Sequence, residues 1–328
     1  MATVNWSRPI IAGVAAVAFA HAAVTAQAQT TYPVKPVRML LGFVPGGLAD
    51  FMARLVGEKL AESWGQQVIV DNRPGASGKI AAELTARAAP DGHTLLTSNN
   101  GLTTNPLLFD KYPLDPLKDF TAVSLVAISA NILVVHPSVP ARSMKTLIAL
   151  ARSRPLTQGT AGVGSPGHLA GELLQQLTQY RFVHIPYKGT GALLNDLIGG
   201  HIDLSFPTLL AGQPFIQSGK LRALGITSAK RSTIFPEVPT ISESGVPGFE
   251  TVGWYGILGP AGMPKDVVSR LSAELARIFK TPEVRKRMLD RGAEPIGSSP
   301  EEFAAYLAED TRKWAKVIKA ANIPPSQL

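Results

Sequence analysis

The amino-acid sequence predicts an α/β protein of two domains with a hinge between them. Short apolar runs, which are typical of buried strands, alternate with segments whose apolar residues recur at helical spacing. Such alternation indicates βαβ units and a largely parallel sheet. The rhythm stops at a long extended stretch over residues 123–136 and then restarts. The chain has 328 residues, which is enough for two domains of ordinary size.

The first domain is predicted to open with strand–helix steps. An apolar strand over residues 37–43 leads through Pro45-Gly46-Gly47 into a helix, whose apolar residues from Leu48 to Leu60 define one buried face. The remaining predicted elements of this half are a strand at 67–71, a helix at 79–88 and a strand that begins at 94–96.

The second domain repeats this pattern after the stretch 123–136, which is the predicted hinge crossing. Its predicted elements are strands at 156–161, 181–185, 202–206 and 221–227, and helices at 168–179 and 191–198. A run rich in Pro and Gly over residues 235–249 is typical of a return linker. Three helices end the chain, and two of them begin with an N-cap, Pro and an acid, at residues 281–283 and 299–301.

The amino terminus predicts an export signal. Arg8 precedes an apolar run over residues 10–20, about half of the ~20 residues that a membrane-spanning helix needs, and the triplet Ala26-Gln27-Ala28 suits a cleavage site. An uncleaved membrane anchor is the alternative, which the short run argues against. The expected division is a signal peptide at 1–28, domain I at 29–127 and 250–328, and domain II at 128–249.

Composition limits the kinds of chemistry that the protein can perform. There are no cysteines, which excludes disulfides, thiolate nucleophiles and Cys-ligated zinc. The formal net charge of +8 predicts a surface that attracts small anions. Because the basic residues are scattered and no aromatic residues interleave with them, we expect no nucleic-acid partner.

Motifs of catalysis are missing, apart from one glycine pattern. The sequence has no GxSxG, no GxxxxGK[ST] and no HExxH, so it predicts no catalytic residues and no metal site. Residues 162–167 satisfy GxGxxG between a predicted strand and a helix, the context of a dinucleotide fingerprint. The next predicted strand, near residues 182–188, lacks the acid that would bind the ribose. An NAD-dependent α/β oxidoreductase is therefore the alternative function, and we expect no cofactor.

Two glycine-rich loops, one in each predicted domain, suit the binding of an anion. Each loop leaves a strand and enters a helix whose first backbone N–H groups have no partner within the helix. Gly46 and Gly47 would let a ligand approach the backbone in the first loop, as would Gly162, Gly164 and Ser165 in the second. The alternative is that these glycines only permit tight turns.

A series of ordered motifs resembles one protein family over nearly the whole mature chain. The motifs are YPVKPVR at 32–38, FVPGGLAD at 43–50, DNRPGASG at 71–78, PDGHTLL at 90–96, GSPGHL at 164–169, HIPYKG at 184–189, GKLRAL at 219–224, VPT at 238–240, PGFE at 247–250, WYG at 254–256 and GPAG at 259–262. Together they resemble the Bug receptors, the substrate-binding proteins of tripartite tricarboxylate transporters. Departures from the usual pattern are Val44, where a second proline is common, and Thr160, where serine is.

The resemblance implies a type II periplasmic-binding-protein fold, a Venus flytrap with a hinge between two α/β domains. It also implies that the loops matching residues 43–50 and 160–168 hold a ligand carboxylate through backbone amides, hydroxyls and water. Phe43 would line the wall, and Asp50 would contact the distal part of the ligand or serve its own helix. The residues expected at the site are Phe43, Gly46, Gly47, Asp50, Asn99, Thr160, Gly162, Gly164, Ser165, His168 and Asp203.

The expected function is binding without chemistry. A small carboxylate, such as an organic acid or an amino acid, would dock between the domains of a periplasmic monomer, and the closed form would present a surface to membrane permease subunits. Asp203 is placed where the second domain meets the cleft, with a structural role as the alternative. For His168, a capping or bracing role is the alternative to ligand contact.

Overall fold

The computed structural model describes residues 32–75, 78–187 and 189–323, together with residues 2 and 325. Almost all of the predicted signal peptide therefore lies outside the described residues. In the described part of the chain, no helix is both long and apolar enough to cross a membrane.

Two sheets and the helices that flank them make up the described chain. The strands are β1 Val37–Leu41, β2 Val68–Asn72, β3 Thr94–Asn99, β4 Phe120–Ala130, β5 Ile132–Val135, β6 Leu156–Thr160, β7 Phe182–Pro186, β8 Leu204–Ser205, β9 Arg222–Ile226, β10 Val252–Pro260 and β11 Glu294–Pro295. The helices are α1 Leu48–Trp64, α2 Lys79–Ala86, α3 Gly101–Leu108, α4 Met144–Ser153, α5 Pro166–Thr178, α6 Thr190–Ile198, α7 Leu209–Gln217, α8 Lys265–Lys280, α9 Pro282–Leu289 and α10 Pro300–Ala321.

The first sheet, with the strand order β11-β4-β10-β3-β1-β2, forms the centre of what we call lobe I. β1 pairs in parallel with β2 and β3, whereas β10 runs antiparallel to β3 and β4. Helix α1 buries Met52, Val56 and Leu60, which recur at helical spacing, in one core with Met39 and Leu41 of β1. Burial of each such side chain contributes about 1.5–3 kcal/mol.

The second sheet, with the order β7-β6-β8-β5-β9, forms lobe II. β6 pairs in parallel with β7 and β8, and β5 runs antiparallel to β8 and β9. The prediction of largely parallel sheets is therefore wrong: both sheets are mixed. The physical reason is the path of the chain, because β5 enters lobe II and β10 re-enters lobe I from the hinge side.

The extended stretch 123–136 contains two strands that belong to different sheets. β4 ends in lobe I, β5 begins in lobe II, and Asn131 lies between them. The Thr227 hydroxyl accepts a hydrogen bond from the Asn131 N–H at 2.8 Å, and the Thr251 N–H donates to the Thr227 carbonyl at 2.9 Å. The two crossings thus lie side by side. The domain boundaries after residues 127 and 249 stay a prediction.

Helices α3 and α10 bind the two lobes together. The buried Asp310 carboxylate of α10 accepts hydrogen bonds from the Thr103 hydroxyl of α3 at 2.6 Å and from the indole N–H groups of Trp254 and Trp314, both at 2.9 Å. Trp314 also shares a core with Leu169 of α5 in lobe II. The last turns of α10 therefore pack on lobe II as well as on lobe I.

Candidate functional site

Each sheet has one point where the order of parallel strands reverses. The chain leaves β1 for β2 on one side, and β3 then joins β1 on its other side. In lobe II, β6 is flanked in the same way by β7 and β8. Ligands of α/β sheets bind at the carboxyl ends of the strands at such points. The loops that follow β1 and β6 are the two glycine-rich loops singled out in the sequence.

The lobe I loop leaves the start of α1 open. Gly47 is the N-cap of α1 with φ −80° and ψ 174°, and no side chain caps the helix. Gly46 has φ 94°, a conformation that favours glycine. A Cβ atom added at either glycine would meet no atom within 4 Å. The first N–H groups of α1 therefore have no side-chain cap, and the backbone at Gly46 and Gly47 can be approached closely, as an anion site requires.

Asp50 braces this loop from below. Its carboxylate is 5% exposed and accepts hydrogen bonds from the Gly46 N–H at 3.1 Å and from Arg54 Nε and Asn72 Nδ2, both at 3.0 Å. Burial acts to raise the pKa of Asp50, but these hydrogen bonds and the charge of Arg54 outweigh it and lower the pKa. The ionised carboxylate is thus engaged within its own lobe, which favours a bracing role over ligand contact.

Phe43 and Asn99 lie together at the ends of β1 and β3. Both line a cavity of about 10 Å³, room for one water molecule. The Asn99 side-chain oxygen accepts a hydrogen bond from the Gly101 N–H at 3.0 Å and so helps to turn the chain into α3. The neighbouring Asn100 is tied to β10, because its side-chain oxygen accepts from the Trp254 N–H at 2.9 Å.

The lobe II loop contains two glycines with left-handed backbone and a side-chain cap. Gly162 and Gly164 have φ values of 123° and 77°. Ser165 is the N-cap of α5, and its hydroxyl accepts a hydrogen bond from the His168 N–H at 3.3 Å. Thr160 and Ser165 line a cavity of about 70 Å³ with Asn131 and other polar residues. The Ser165 hydroxyl proton remains able to donate to a ligand oxygen.

Two histidines support this loop, and the sequence analysis assigned a site role to only one. The ring of His168 accepts a hydrogen bond at Nδ1 from the Gly164 N–H at 3.1 Å and stacks on His184 with 4.1 Å between centroids. Nε2 of His184 lies 2.6 Å from the Thr160 hydroxyl oxygen. Burial, with a smaller contribution from His168, lowers the pKa of His184 to about 4. The signal available in the sequence was the HIPYKG motif, on the strand beside β6.

Asp203 lies at the amino ends of strands β6 and β8, whereas the glycine-rich loop follows the carboxyl end of β6. Its carboxylate accepts hydrogen bonds from the Thr157 N–H at 2.8 Å and from Arg154 at 2.7 Å. Thr157 is near the start of β6, about 10 Å along the strand from Thr160 at 3.3 Å per residue. The expectation that Asp203 meets the cleft is therefore corrected: Asp203 braces the amino ends of β6 and β8.

Helix α3 links the two loops. Leu102 and Asn105 of α3 line the lobe I cavity, whereas Leu108 at its end contacts Gly164 of the lobe II loop so closely that a Cβ there would lie 2.5 Å from the Leu108 side chain. An eight-residue helix is about 12 Å long. The two glycine-rich loops thus lie at opposite ends of one short helix.

A larger cavity of about 520 Å³ lies on the other side of the hinge crossing. Ala130, Ile234 and Arg285 are among the residues that line it, and none of the predicted site residues does. Successive residues of an extended chain face opposite sides. Because Asn131 lines the lobe II cavity, the cavity that Ala130 lines faces away from the two loops.

Comparison with known proteins identifies the relatives of this chain. Residues 52–323 match the model of the tripartite tricarboxylate transporter family receptor. A UPF0065 protein from the tcbD-tcbE intergenic region of Pseudomonas sp. strain P51 is 36% identical over 323 residues, which cover 98% of this chain and 96% of that protein. Protein BugT of Bordetella pertussis is 36% identical over 293 residues, which cover 88% of this chain and 90% of BugT.

Solved structures show the same relationship. An R. palustris protein solved with adipate has a TM-score of 0.79 at 36% identity, covering 90% of this chain and all of that one. MatC from Rhodopseudomonas palustris, solved with bound malate, has a TM-score of 0.74 at 32% identity, covering 88% of this chain and all of MatC. None of these relatives supports an oxidoreductase. The resemblance seen in the motifs is confirmed: the chain belongs to the tripartite tricarboxylate transporter family of receptors.

Proposed function

We propose that the protein is a periplasmic receptor that binds a small carboxylate between its two lobes and presents it to membrane permease subunits. The observation that carries the proposal is the pair of strand-to-helix loops at the strand-order reversals, with the start of α1 uncapped and open. The relatives solved with adipate and malate support a carboxylate as the ligand. Catalysis plays no part in this function.

The anchor of the ligand is the backbone rather than a basic side chain. Among the described residues that line the two loop cavities there is no lysine or arginine. Unpaired N–H groups at the start of α1 and the hydroxyl of Ser165 would supply the hydrogen bonds instead. Of the eleven predicted site residues, the glycines, Thr160 and Ser165 form the binding surface, Phe43 and Asn99 its wall, and Asp50 and His168 its support.

Closure about the crossings at Asn131 and Thr251 would complete the site. The ligand would dock on one loop, and rotation of the other lobe would bring the second loop onto it. The formal net charge is +8 for the whole chain and falls to +7 once Arg8 leaves with the signal peptide, and this positive charge would attract the anion to the open receptor. The receptor acts as a monomer, because each lobe supplies one half of the site.

A ligand screen by thermal unfolding and calorimetry tests this function. Adipate, malate and a panel of amino acids and aromatic acids are the probes, with NADH as the comparison. At least one acid should raise the melting temperature, because a ligand at 100 times its Kd adds about 2.7 kcal/mol to the free energy of unfolding. Saturable binding of NADH with no response to any acid would reject the receptor in favour of the oxidoreductase.

A further inference from the structure

The stacked histidines lie directly behind the lobe II loop. His168 is 3% exposed and comes from the first turn of α5, whereas His184 comes from the middle of β7. Their ring planes differ by 18°. A buried ring such as that of His168 needs partners for its nitrogen atoms, whereas His184 is only partly buried.

Each ring holds one residue of the loop. Because Nδ1 of His168 accepts the Gly164 N–H, the neutral ring carries its proton on Nε2, which lies 3.6 Å from Glu172 Oε1. His184 meets the Thr160 hydroxyl through Nε2. The loop conformation between Thr160 and Gly164 is thus fixed at both ends by imidazole nitrogens.

We propose that His168 and His184 are positioning residues that hold the lobe II loop in its ligand-binding geometry only while both rings are neutral, so that uptake of a proton by the pair weakens carboxylate binding. The proposal rests on the proposed function, since it concerns the same site. A proton on Nδ1 of His168 would turn the acceptor of the Gly164 N–H into a donor. That hydrogen bond would break, and the loop would lose one of its two fixed ends.

The charge environment of the pair decides the sign of this effect. Among the described residues, the titratable groups that face the pair are the two rings themselves and Glu172. The Tyr187 hydroxyl turns away and donates to Asp196 at 2.7 Å. Glu172 offsets the charge of a protonated His168, so the ligand gains little attraction and the broken loop contact dominates. Two charged rings in one stack would also repel each other.

Nuclear magnetic resonance of the ligand-free mature protein tests the contact itself. Ring ¹⁵N shifts should show His168 protonated on Nε2 at pH 7.5. As the pH falls, the protection factor of the Gly164 amide, which is its exchange rate corrected for the intrinsic pH dependence, should drop when the ring ¹⁵N shifts show a proton on Nδ1 of His168. Two results would overturn the proposal whether or not a ligand is known. One is a neutral His168 ring with its proton on Nδ1, and the other is a Gly164 protection factor that does not change when the ring is protonated.

Calorimetry with adipate and malate tests the effect on binding. In His168→Asn the side-chain oxygen can still accept the Gly164 N–H but cannot titrate, so affinity at pH 7.5 should stay within about 3-fold of wild type. At a pH where the ring ¹⁵N shifts show a proton on both nitrogens of His168, the wild type should bind about 10-fold more weakly than this variant, a comparison that removes the titration of the ligand. His184→Gln should flatten only the part of the pH profile below about pH 5, because burial lowers the pKa of His184 to about 4.

Two controls complete the experiment. His201→Asn alters a histidine whose side chain is 72% exposed and should leave the wild-type pH profile unchanged. His168→Leu should lose about 10-fold in affinity at pH 7.5, with melting by circular dichroism to verify the fold. If the affinities of wild type and His168→Asn had the same ratio at both pH values, the positioning role would be rejected and the receptor function would stand. If neither adipate, malate nor any acid of the wider panel bound at pH 7.5, the receptor function would be rejected. The nuclear magnetic resonance data would still test the loop contact.

Discussion

At the level of single residues, substitution of Gly47 should change ligand binding without weakening helix α1. It has the extended backbone of an ordinary N-cap, which any residue can adopt, and open space around its Cα. Gly47→Asp should therefore keep the fold and could add a few tenths of a kcal/mol through capping. Its carboxylate would occupy the N–H groups that the ligand needs and repel the ligand. Calorimetry should show loss of acid binding beside an unchanged or raised melting temperature.

Gly47→Ala is the matched control for this substitution. It adds a Cβ in the same open space without a charge. Binding should fall far less than in Gly47→Asp. If the aspartate variant bound its acid as well as wild type, the α1 loop would not be the anchor.

His184 should make stability depend on pH, beginning above the range in which carboxylates are protonated. Its pKa is lowered from 6.5 to about 4 in the folded protein, so between these values the unfolded chain binds the proton more readily. Stability should therefore fall as the pH drops from about 6.5 to 4, by at most ~1.4 kcal/mol per pH unit and by less where solvent screens the ring. Urea unfolding of wild type and His184→Gln at several pH values measures the difference. Parallel pH profiles for the two proteins would contradict it.

At the level of elements, Asp310 joins α3, β10 and α10. Burial raises the pKa of Asp310, against the three hydrogen bonds that lower it. Both carboxylate oxygens of Asp310 accept hydrogen bonds, one from Thr103 and Trp254 and the other from Trp314. In Asp310→Asn one oxygen becomes an NH₂ group, which would face at least one of these donors without an acceptor between them. We expect a loss of about 1–3 kcal/mol in the free energy of unfolding, measured by urea denaturation.

Asp290→Asn provides the comparison, since Asp290 forms an ion pair with Lys286 at the surface. An exposed pair of this kind contributes about 0–1 kcal/mol. Equal destabilisation by the two substitutions would show that the Asp310 network does not join the lobes.

The helices and strands differ in how well their patterns predicted them. The strand at 37–43 is β1 at Val37–Leu41, and the helix from Leu48 is α1, because their apolar residues follow one clear period. Helix α4 was not predicted, although Ser143 caps it, and neither were α3 and α7. Helices α3 and α7 each have proline inside them, Pro106 and Pro214, and the short run at 101–108 offers no amphipathic stripe, since α3 packs against both lobes.

At the level of the whole molecule, export should remove the amino terminus. The apolar run at 10–20 and the Ala26-Gln27-Ala28 triplet predict cleavage after residue 28. Intact mass of protein from the periplasm should match residues 29–328. Material in the soluble periplasmic fraction that retains Met1 would contradict both the cleavage site and the proposed route to the periplasm.

The sequence by itself determined the α/β class, the two-part organisation, the two glycine-rich loops and the family. These properties are local: periodicity, turn residues and motif order are carried by neighbouring positions along the chain. The crossing at 123–136 could be placed for the same reason, since an apolar run too long for one strand has to change sheets.

Only the tertiary structure decided which polar side chains hold the two glycine-rich loops and which lie elsewhere. Asp50 and Asp203 were both expected at the site, yet Asp50 braces the lobe I loop whereas Asp203 contacts Thr157 near the start of β6. The role of His184 could not be predicted from the sequence, because it depends on the pairing of β7 with β6, which places the ring against Thr160. The physical reason is that strand register and lobe packing join residues that are distant in sequence, and neither periodicity nor spacing along the chain carries that information.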